Sequence, residues 1–234
     1  MNKFDNYFDL RNVSVASYAH YTIPAYLKKE LPADRTARIL DIGCGIGQLL
    51  DALRRSGYVN ITGIDVSQEA VSQCMERGLS VEHIDDLGAF CMNGKNQYDF
   101  ILMNHVIEHL PKDKIIDILG LIRTKLLATG GQFVIATPNA QSSTGCYWAY
   151  EDFTHTVIFT AGSLTYILRS AGFTRISFLD PYGTDGSGIF VKLVCRLFLR
   201  LYRWKISFWN KITRSSFHRP SPQIFTYELK VSAE

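Results

Sequence analysis

Cysteine is sparse in this sequence, and no two cysteines are spaced as a metal or redox motif. The five, Cys44, Cys74, Cys91, Cys146 and Cys195, are scattered and odd in number. That argues against a disulfide framework, a zinc ribbon or an iron–sulfur cluster, and for reduced thiols. The opening stretch MNKFDNYFDLRNVSV lacks an apolar core of the secretory type, so a cytoplasmic location is expected. Low-complexity tracts and internal repeats are also missing. Acidic residues are absent from Gly186 to Pro222, where eight basic residues fall: Lys192, Arg196, Arg200, Arg203, Lys205, Lys211, Arg214 and Arg219. The formal net charge of +3 is therefore local to that segment, and the rest of the chain is net acidic. A charge every third or fourth residue also rules poorly with a bilayer span.

What is present is a chain of 234 residues, 47% hydrophobic and 20% charged, enough for one globular domain with an appendage. Residues 15–30 are tyrosine-rich and read as helical, with Pro24 as a kink. Beyond them the chain alternates. Short β-branched or apolar runs at 38–41, 59–64, 79–84, 98–103, 132–137 and 174–179 are separated by helical patterns at 47–55, 67–77, 111–127 and 160–171. Ser67 suits the cap of the second of these helices and Gly78 its end, while Pro111 suits the first turn of the third. The alternation predicts a doubly wound α/β sheet with helices on both faces. The run QIFTYELKV supplies a closing strand.

Ligands of such sheets bind at the carboxyl ends of the strands, where the strand order switches. There, after the first run, stands RILDIGCGIGQLL, with Asp41 followed by Gly43, Gly45 and Gly47. Glycine is favoured where backbone turns sharply or a ligand comes close. The spacing differs from the Gly-x-Gly-x-x-Gly of dinucleotide folds, which disfavours a nicotinamide-dependent dehydrogenase. Asp65 ends the second strand, where a carboxylate can accept from ribose hydroxyls, and Val66 can lie against an adenine face. Asp85 and Asp86 end the third, either able to accept from an exocyclic amine.

In order and spacing, ILDIGCGIGQLL, GIDVS, YDFILMNHVIEHL and LLATGGQFVIATPNA resemble the motifs of class I S-adenosylmethionine-dependent methyltransferases, over roughly residues 35–180. The resemblance implies a Rossmann-like seven-stranded sheet whose last strand is antiparallel, and S-adenosyl-L-methionine as cofactor. It implies that Asp41, Gly43, Cys44, Gly45 and Gly47 line the methionine moiety. Asp65 and Val66 would take the adenosine, Asp85 (less surely Asp86) the adenine, and Asn104 would stand beside them. Radical chemistry on the same cofactor would need a cysteine triad, which is missing.

Methyl transfer to a hydroxyl needs alignment, exclusion of water and loss of a proton, for which histidine is the usual base. His105 follows the fourth strand, and His109 lies a turn later beside Glu108, a pair that reads as structural. In the long aromatic loop TPNAQSSTGCYWAYEDFTHTVIFTAGSL, Asp152 and His155 can form an oriented base, the carboxylate holding the imidazole tautomer; equally they can tie the loop down. The candidate catalytic residues are thus His155, His105 and Asp152. No metal is expected, although His105, Asp152 and His155 could converge. Tyr147, Trp148, Tyr150 and Phe153 suit stacking on a sugar or aromatic ring, or packing of the loop.

Drawn as a helix, Lys192, Arg196, Arg200 and Arg203 form one stripe and Val194, Leu197, Phe198, Leu201 and Tyr202 fill the wide remaining face. With Trp204, Phe208 and Trp209, this suits peripheral contact of 187–214 with the inner face of a membrane. The alternative is a helix packed on the domain or in a homodimer; nucleic acid fits poorly. The expected organisation is an N-terminal helical segment covering the site (1–36), a methyltransferase domain (37–182 and 221–234) and a basic amphipathic insertion (183–220). The features PNAQSS, DFTHTVIFTAGSL and LRSAGF resemble bacterial methyltransferases of surface-polysaccharide and lipid-linked sugar pathways. The expected function is O-methylation of a glycan or lipid-linked saccharide. A quinone-precursor O-methyltransferase and a non-catalytic cofactor-binding partner are the alternatives.

Overall fold

The computed structural model describes residues 7–11, 14–18, 20–94 and 96–234. Seven strands form one sheet: β1 (Ile39–Ile42), β2 (Ile61–Asp65), β3 (Val81–His83), β4 (Tyr98–Asn104), β5 (Leu127–Pro138), β6 (Ile176–Leu179) and β7 (Glu228–Ala233). Their order is β3-β2-β1-β4-β5-β7-β6, with β7 antiparallel to both neighbours. This is the Rossmann-like architecture that the resemblance to class I methyltransferases implied. The order reverses beside β1, so β1, β2 and β4 end together at the switch, with Asp41 in register with Gly63 and Leu102.

Helices flank the sheet: α1 (Tyr7–Leu10), α2 (Ala25–Glu30), α3 (Gln48–Arg55), α4 (Gln68–Glu76), α5 (Leu87–Asn93), α6 (Ile115–Leu121), α7 (Gly145–Glu151), α8 (Ala161–Ser170) and α9 (Ile189–Ile212). On one face Leu119 and Ile122 of the α6 region and Leu164 and Leu168 of α8 are buried in a cluster with Leu40, Ile101, Phe133 and Ile135 of the strands. On the other, Leu27 of α2 and Leu49 and Leu53 of α3 pack with Ile39, Phe100, Leu102 and Val134. The capping expectation for α4 holds: Ser67 Oγ accepts from the Ala70 N–H at 3.2 Å, and Gly78 leaves the helix at φ +69°.

Four local expectations are corrected. Pro24 does not kink a helix over 15–30. Its missing N–H suits the position just before a first turn, and α2 begins at Ala25 while 15–18 form a separate 3₁₀ turn. The helix after Pro111 starts only at Ile115, after a turn. The helix α5 was not foreseen; Asp86 caps it, accepting from the Ala89 N–H at 2.8 Å. The closing strand begins at Glu228 rather than Gln223, because buried Asn139 donates to the carbonyls of Ile224 and Thr226 and holds that stretch as a loop. Part of the expected N-terminal segment (1–6, 12, 13 and 19) lies outside the described residues.

The basic insertion is the 24-residue helix α9, about 36 Å long, with no buried residue. Among the described residues no helix is long and apolar enough to cross a membrane.

Candidate functional site

The switch point opens into a cavity of about 570 Å³, within the range of small-molecule sites. Its floor is the turn between β1 and α3. Gly43 and Gly45 adopt φ of +70° and +53°, which side chains with a Cβ resist. A Cβ on Gly43 would meet Val106 Cγ2 at 2.2 Å, so the close approach is steric as well as conformational. The carboxylate of Asp65 locks this turn: Oδ2 accepts from the Gly45 N–H at 2.7 Å and Oδ1 from the Ser67 N–H at 2.8 Å. Asp41, Cys44, Asp65, Val66 and Asn104 all line the cavity.

Burial pushes the Asp41 carboxyl up to about 8, helped by the neighbouring charge of Asp65. Asp65 is also raised by burial, against the pull of its backbone donors. Carboxyls raised in this way give up a proton when a ligand carrying positive charge binds, and their oxygens accept from its hydroxyl donors. Two further acceptors on the cavity wall, Gln48 Oε1 and Asn104 Oδ1, are buried without hydrogen-bond partners. A ligand rich in N–H and O–H groups fits these orphaned oxygens. Sequence reasoning missed Gln48; its position one residue past the glycine run was the available signal.

Two residues stand elsewhere. Gly47 lies outside the cavity lining, its φ of +76° and the nearness of Cys74 Sγ and Leu79 Cδ1, each 2.7 Å from a notional Cβ, giving it a packing role. Asp85 lines a neighbouring cavity of about 430 Å³ with Asp86, not the one floored by the glycines; Ile84 lines both, and Leu87 the glycine side.

Opposite the floor, the histidines gather. His105 takes φ +54°, a strained conformation for a residue with a Cβ, which sets its ring between two carboxylates: Glu228 Oε1 at 2.7 Å and Glu108 Oε1 at 3.3 Å. Burial alone would lower its pKa, but those carboxylates outweigh it and lift it to about 10. The two carboxylates favour the protonated ring, which disfavours His105 as the proton acceptor and leaves it holding Glu108 and Glu228.

The expected Asp152–His155 dyad is also corrected. The His155 Nδ1 meets the Trp148 carbonyl at 2.6 Å, so main chain, not Asp152, sets its tautomer; Asp152 Oδ2 stays 4.0 Å from Nε2. Asp152 instead accepts from Thr154 Oγ1 and Tyr7 Oη, each at 2.5 Å, and pairs with Arg11 at 3.4 Å. Burial raises its pKa, yet these donors bring it down to about 2. Asp152 thus clasps the N-terminal segment to the loop after β5, while Phe8 of the same segment sits over Gly45. His155 keeps Nε2 directed at the cavity corner, beside buried Glu108 and His109. Trp148 and Tyr227, ring centroids 5.3 Å apart, form part of the wall.

A glycine turn with strand-end carboxylates, set at the switch of a 3-2-1-4-5-7-6 sheet, defines the S-adenosylmethionine-dependent methyltransferase class of fold. The methyltransferase-domain family model matches residues 15–177, and the chain belongs to that family. A ubiquinone biosynthesis O-methyltransferase of Caulobacter sp. (strain K31) is 33% identical over 109 residues, 44% of this chain and 41% of the relative. The matched stretch thus spans less than half the length of that curated protein. Among solved structures, an S-adenosylmethionine-dependent methyltransferase from Archaeoglobus fulgidus aligns with a TM-score of 0.65 at 20% identity, covering 97% of each chain. A complex described as DhpI–SAM–HEP aligns at 0.58 and 15% identity, covering 98% of this chain and 91% of that one. Structural neighbours therefore hold S-adenosylmethionine on this fold.

Proposed function

We propose that the chain transfers the methyl group of S-adenosylmethionine to a ring-borne hydroxyl of an acceptor carried by a lipid. The observation that carries the reading is the Asp65 clamp on the Gly45 N–H, with Asp41 beside it. It fixes bare main chain and two carboxylates at the place where a cationic adenosyl cofactor is bound in proteins of this fold. The cofactor supplies an already activated methyl group; the protein has to align the nucleophile, exclude water and take up a proton. Gln48 and Asn104 offer the orphaned acceptors, and Phe8 covers the glycine turn. The corner of His155, His109 and Glu108 receives the hydroxyl, with His155 Nε2 directed at it.

The acceptor class rests on two observations. The wall of Trp148 and Tyr227 suits stacking on a flat ring, whether a sugar face or an aromatic. Helix α9 turns an apolar arc to solvent, with Phe190 75%, Phe198 64% and Trp204 69% exposed, flanked by Lys192, Arg196, Arg200 and Arg203. Such a helix lies in the interface of an anionic membrane, which would bring the site to a lipid-linked substrate. A lipid-linked saccharide is the first candidate. A quinone precursor is the second, favoured by the name of the curated relatives.

The test is formation of S-adenosylhomocysteine with each acceptor class in anionic vesicles. Turnover with a lipid-linked saccharide but not a polyprenyl catechol selects the first, and the reverse selects the second. Failure to bind S-adenosylmethionine at all ends the reading. His155→Ala is expected to lower turnover at least tenfold while leaving cofactor affinity within about twofold, as removal of a proton acceptor does.

A further inference from the structure

Three side chains meet at the inner corner of the cleft in an arrangement that cofactor binding does not require. Glu108 is fully buried; its Oε2 accepts from Thr137 Oγ1 at 3.0 Å, while Oε1 makes no hydrogen bond. His105 Nδ1 lies 3.3 Å from Oε1 without the alignment of one, and His155 Nε2 lies 4.0 Å away. The His105 ring supplies positive charge beside Oε1 without a hydrogen bond to it, so this buried oxygen keeps its lone pairs for a partner in the corner. One donor atom each from Glu108, His109 and His155 lies within 4.8 Å of the others. The rings are also held as metal-binding imidazoles are held. The Trp148 carbonyl fixes His155 Nδ1 as the protonated nitrogen, which turns the Nε2 lone pair to the corner. Thr154 Oγ1, which donates to Asp152, stands 2.9 Å from His109 Nδ1 and holds that ring against the loop.

The geometry points to a binding site for a divalent first-row transition ion, formed by Glu108 Oε1, His155 Nε2 and a ring nitrogen of His109. Two imidazoles and one carboxylate suit zinc or ferrous iron; magnesium and calcium prefer all-oxygen sets. Ligand atoms about 2.0 Å from a tetrahedral ion stand about 3.3 Å apart, so loading would close the 4.0 Å between Glu108 and His155 by less than 1 Å and any pair of the trio by at most about 1.5 Å. His109 and His155 line the cavity, so a further position on the ion would face it. The ion would supply Lewis acidity there, so that an acceptor hydroxyl bound to it would give up its proton to water at a pH much nearer neutral than unbound. With Nε2 bound to the ion, His155 is a ligand rather than the proton acceptor; this deepens the proposed methyl transfer and rests on it for the identity of the acceptor, but not for the ion.

The test uses the full chain, stripped with a chelator and titrated with Co²⁺. The expected result is visible d–d absorption that saturates at one equivalent and is bleached by Zn²⁺. Glu108→Gln and His155→Ala are expected to weaken Co²⁺ binding by more than the roughly 10–100-fold that loss of a ligand's supporting hydrogen bond brings, and His218→Gln to leave it unchanged. Binding of S-adenosylhomocysteine verifies that each variant is folded. X-ray absorption of the zinc-loaded wild type needs no variant. A shell of nitrogen and oxygen near 2.0 Å with imidazole scattering supports the site, and a sulfur shell near 2.3 Å overturns it. A wild type that binds S-adenosylhomocysteine yet takes up no stoichiometric Co²⁺ also overturns it, leaving the methyl-transfer reading intact. So does uptake undiminished in folded Glu108→Gln and His155→Ala. Uptake of Co²⁺ by a chain that binds no S-adenosylmethionine supports the metal site while ending the methyltransferase reading.

Discussion

Asp41 ties cofactor affinity to pH. Its carboxyl is 3% exposed, and burial together with the charge of Asp65 raises it to about 8. At pH 7 such a group is roughly 9% ionised, and at pH 6 about 1%. A cofactor bearing a sulfonium and an ammonium binds the ionised form, so binding at pH 7 releases close to one proton. The apparent affinity of wild type is then expected to rise about 50-fold between pH 6 and pH 8, a change of about 2.3 kcal/mol. Asp41→Asn cannot release that proton. Its affinity profile keeps only the slope due to the ligand's own amine, so the ratio of wild-type to variant affinity is the diagnostic quantity. Calorimetry in two buffers of different ionisation enthalpy measures the released proton directly, and adenosine, which carries no charge, serves as the flat control.

The same carboxyl acts on stability with a definite sign. Its folded pKa lies above the unfolded value of 3.8, so the empty protein is most stable where Asp41 is protonated and loses stability as pH rises from about 4 through about 8. Asp41→Asn should therefore raise the melting temperature of the empty chain at pH 8 more than at pH 5. A wild-type to variant affinity ratio equal at pH 6 and pH 8 would refute the reasoning.

Three other outcomes are expected. Gly43→Ala forces a Cβ to 2.2 Å from Val106 Cγ2 at φ +70° and should cost about 1–3 kcal/mol of stability and remove cofactor binding; Gly47→Ala, also strained, should destabilise but leave the affinity of the folded fraction unchanged, both read by thermal unfolding and calorimetry. Tyr7→Phe removes the 2.5 Å bond to Asp152 and should weaken the clasp by about 1–2 kcal/mol, seen as faster proteolysis near residue 11 and a higher KM for the acceptor; unchanged kinetics and proteolysis would count against a clasp. Replacing Trp204, Phe208 and Trp209 with alanine should release the chain from anionic vesicles in sedimentation, whereas equal sedimentation of the variant would assign α9 to a protein interface.

The cofactor half of the cleft was legible because its determinants are local. The glycine turn, Asp41 and Asp65 each stand at a strand end within a few residues of the motif that announces them, and burial follows from the strand pattern. Gly47 and Asp85 stand outside that cavity's lining for a related reason: spacing says that a residue is in a turn, not which side of the turn it faces. The acceptor half depends on distant pairings. Asp152 is beside His155 in sequence, but its partner is Tyr7, 145 positions away, and the tautomer of His155 is set by a carbonyl seven residues earlier. The metal-like corner takes Glu108 and His109 from the turn after β4, and its support comes from Thr137 of β5 and Thr154 of the loop. No spacing rule joins these; the sheet order does.

That order also makes the two halves of the cleft depend on each other. Glu108 accepts through its backbone carbonyl from the N–H groups of Thr156 and Val157, at 2.8 and 3.3 Å, so the loop after β5 hangs from the residue whose side chain anchors the corner. The other end of the loop is held by Asp152 to Tyr7 and Arg11, and their neighbour Phe8 covers Gly45. Opening the glycine turn to a cofactor by moving Phe8 therefore pulls on the clasp at Asp152, two to three residues from Thr154 and His155. On the proposed methyl transfer, a cofactor seated beneath Phe8 with the clasp closed would fix His155 and Thr154 at once, so the acceptor corner is expected to be completed only after the methyl donor is enclosed, an order that would keep water from the sulfonium.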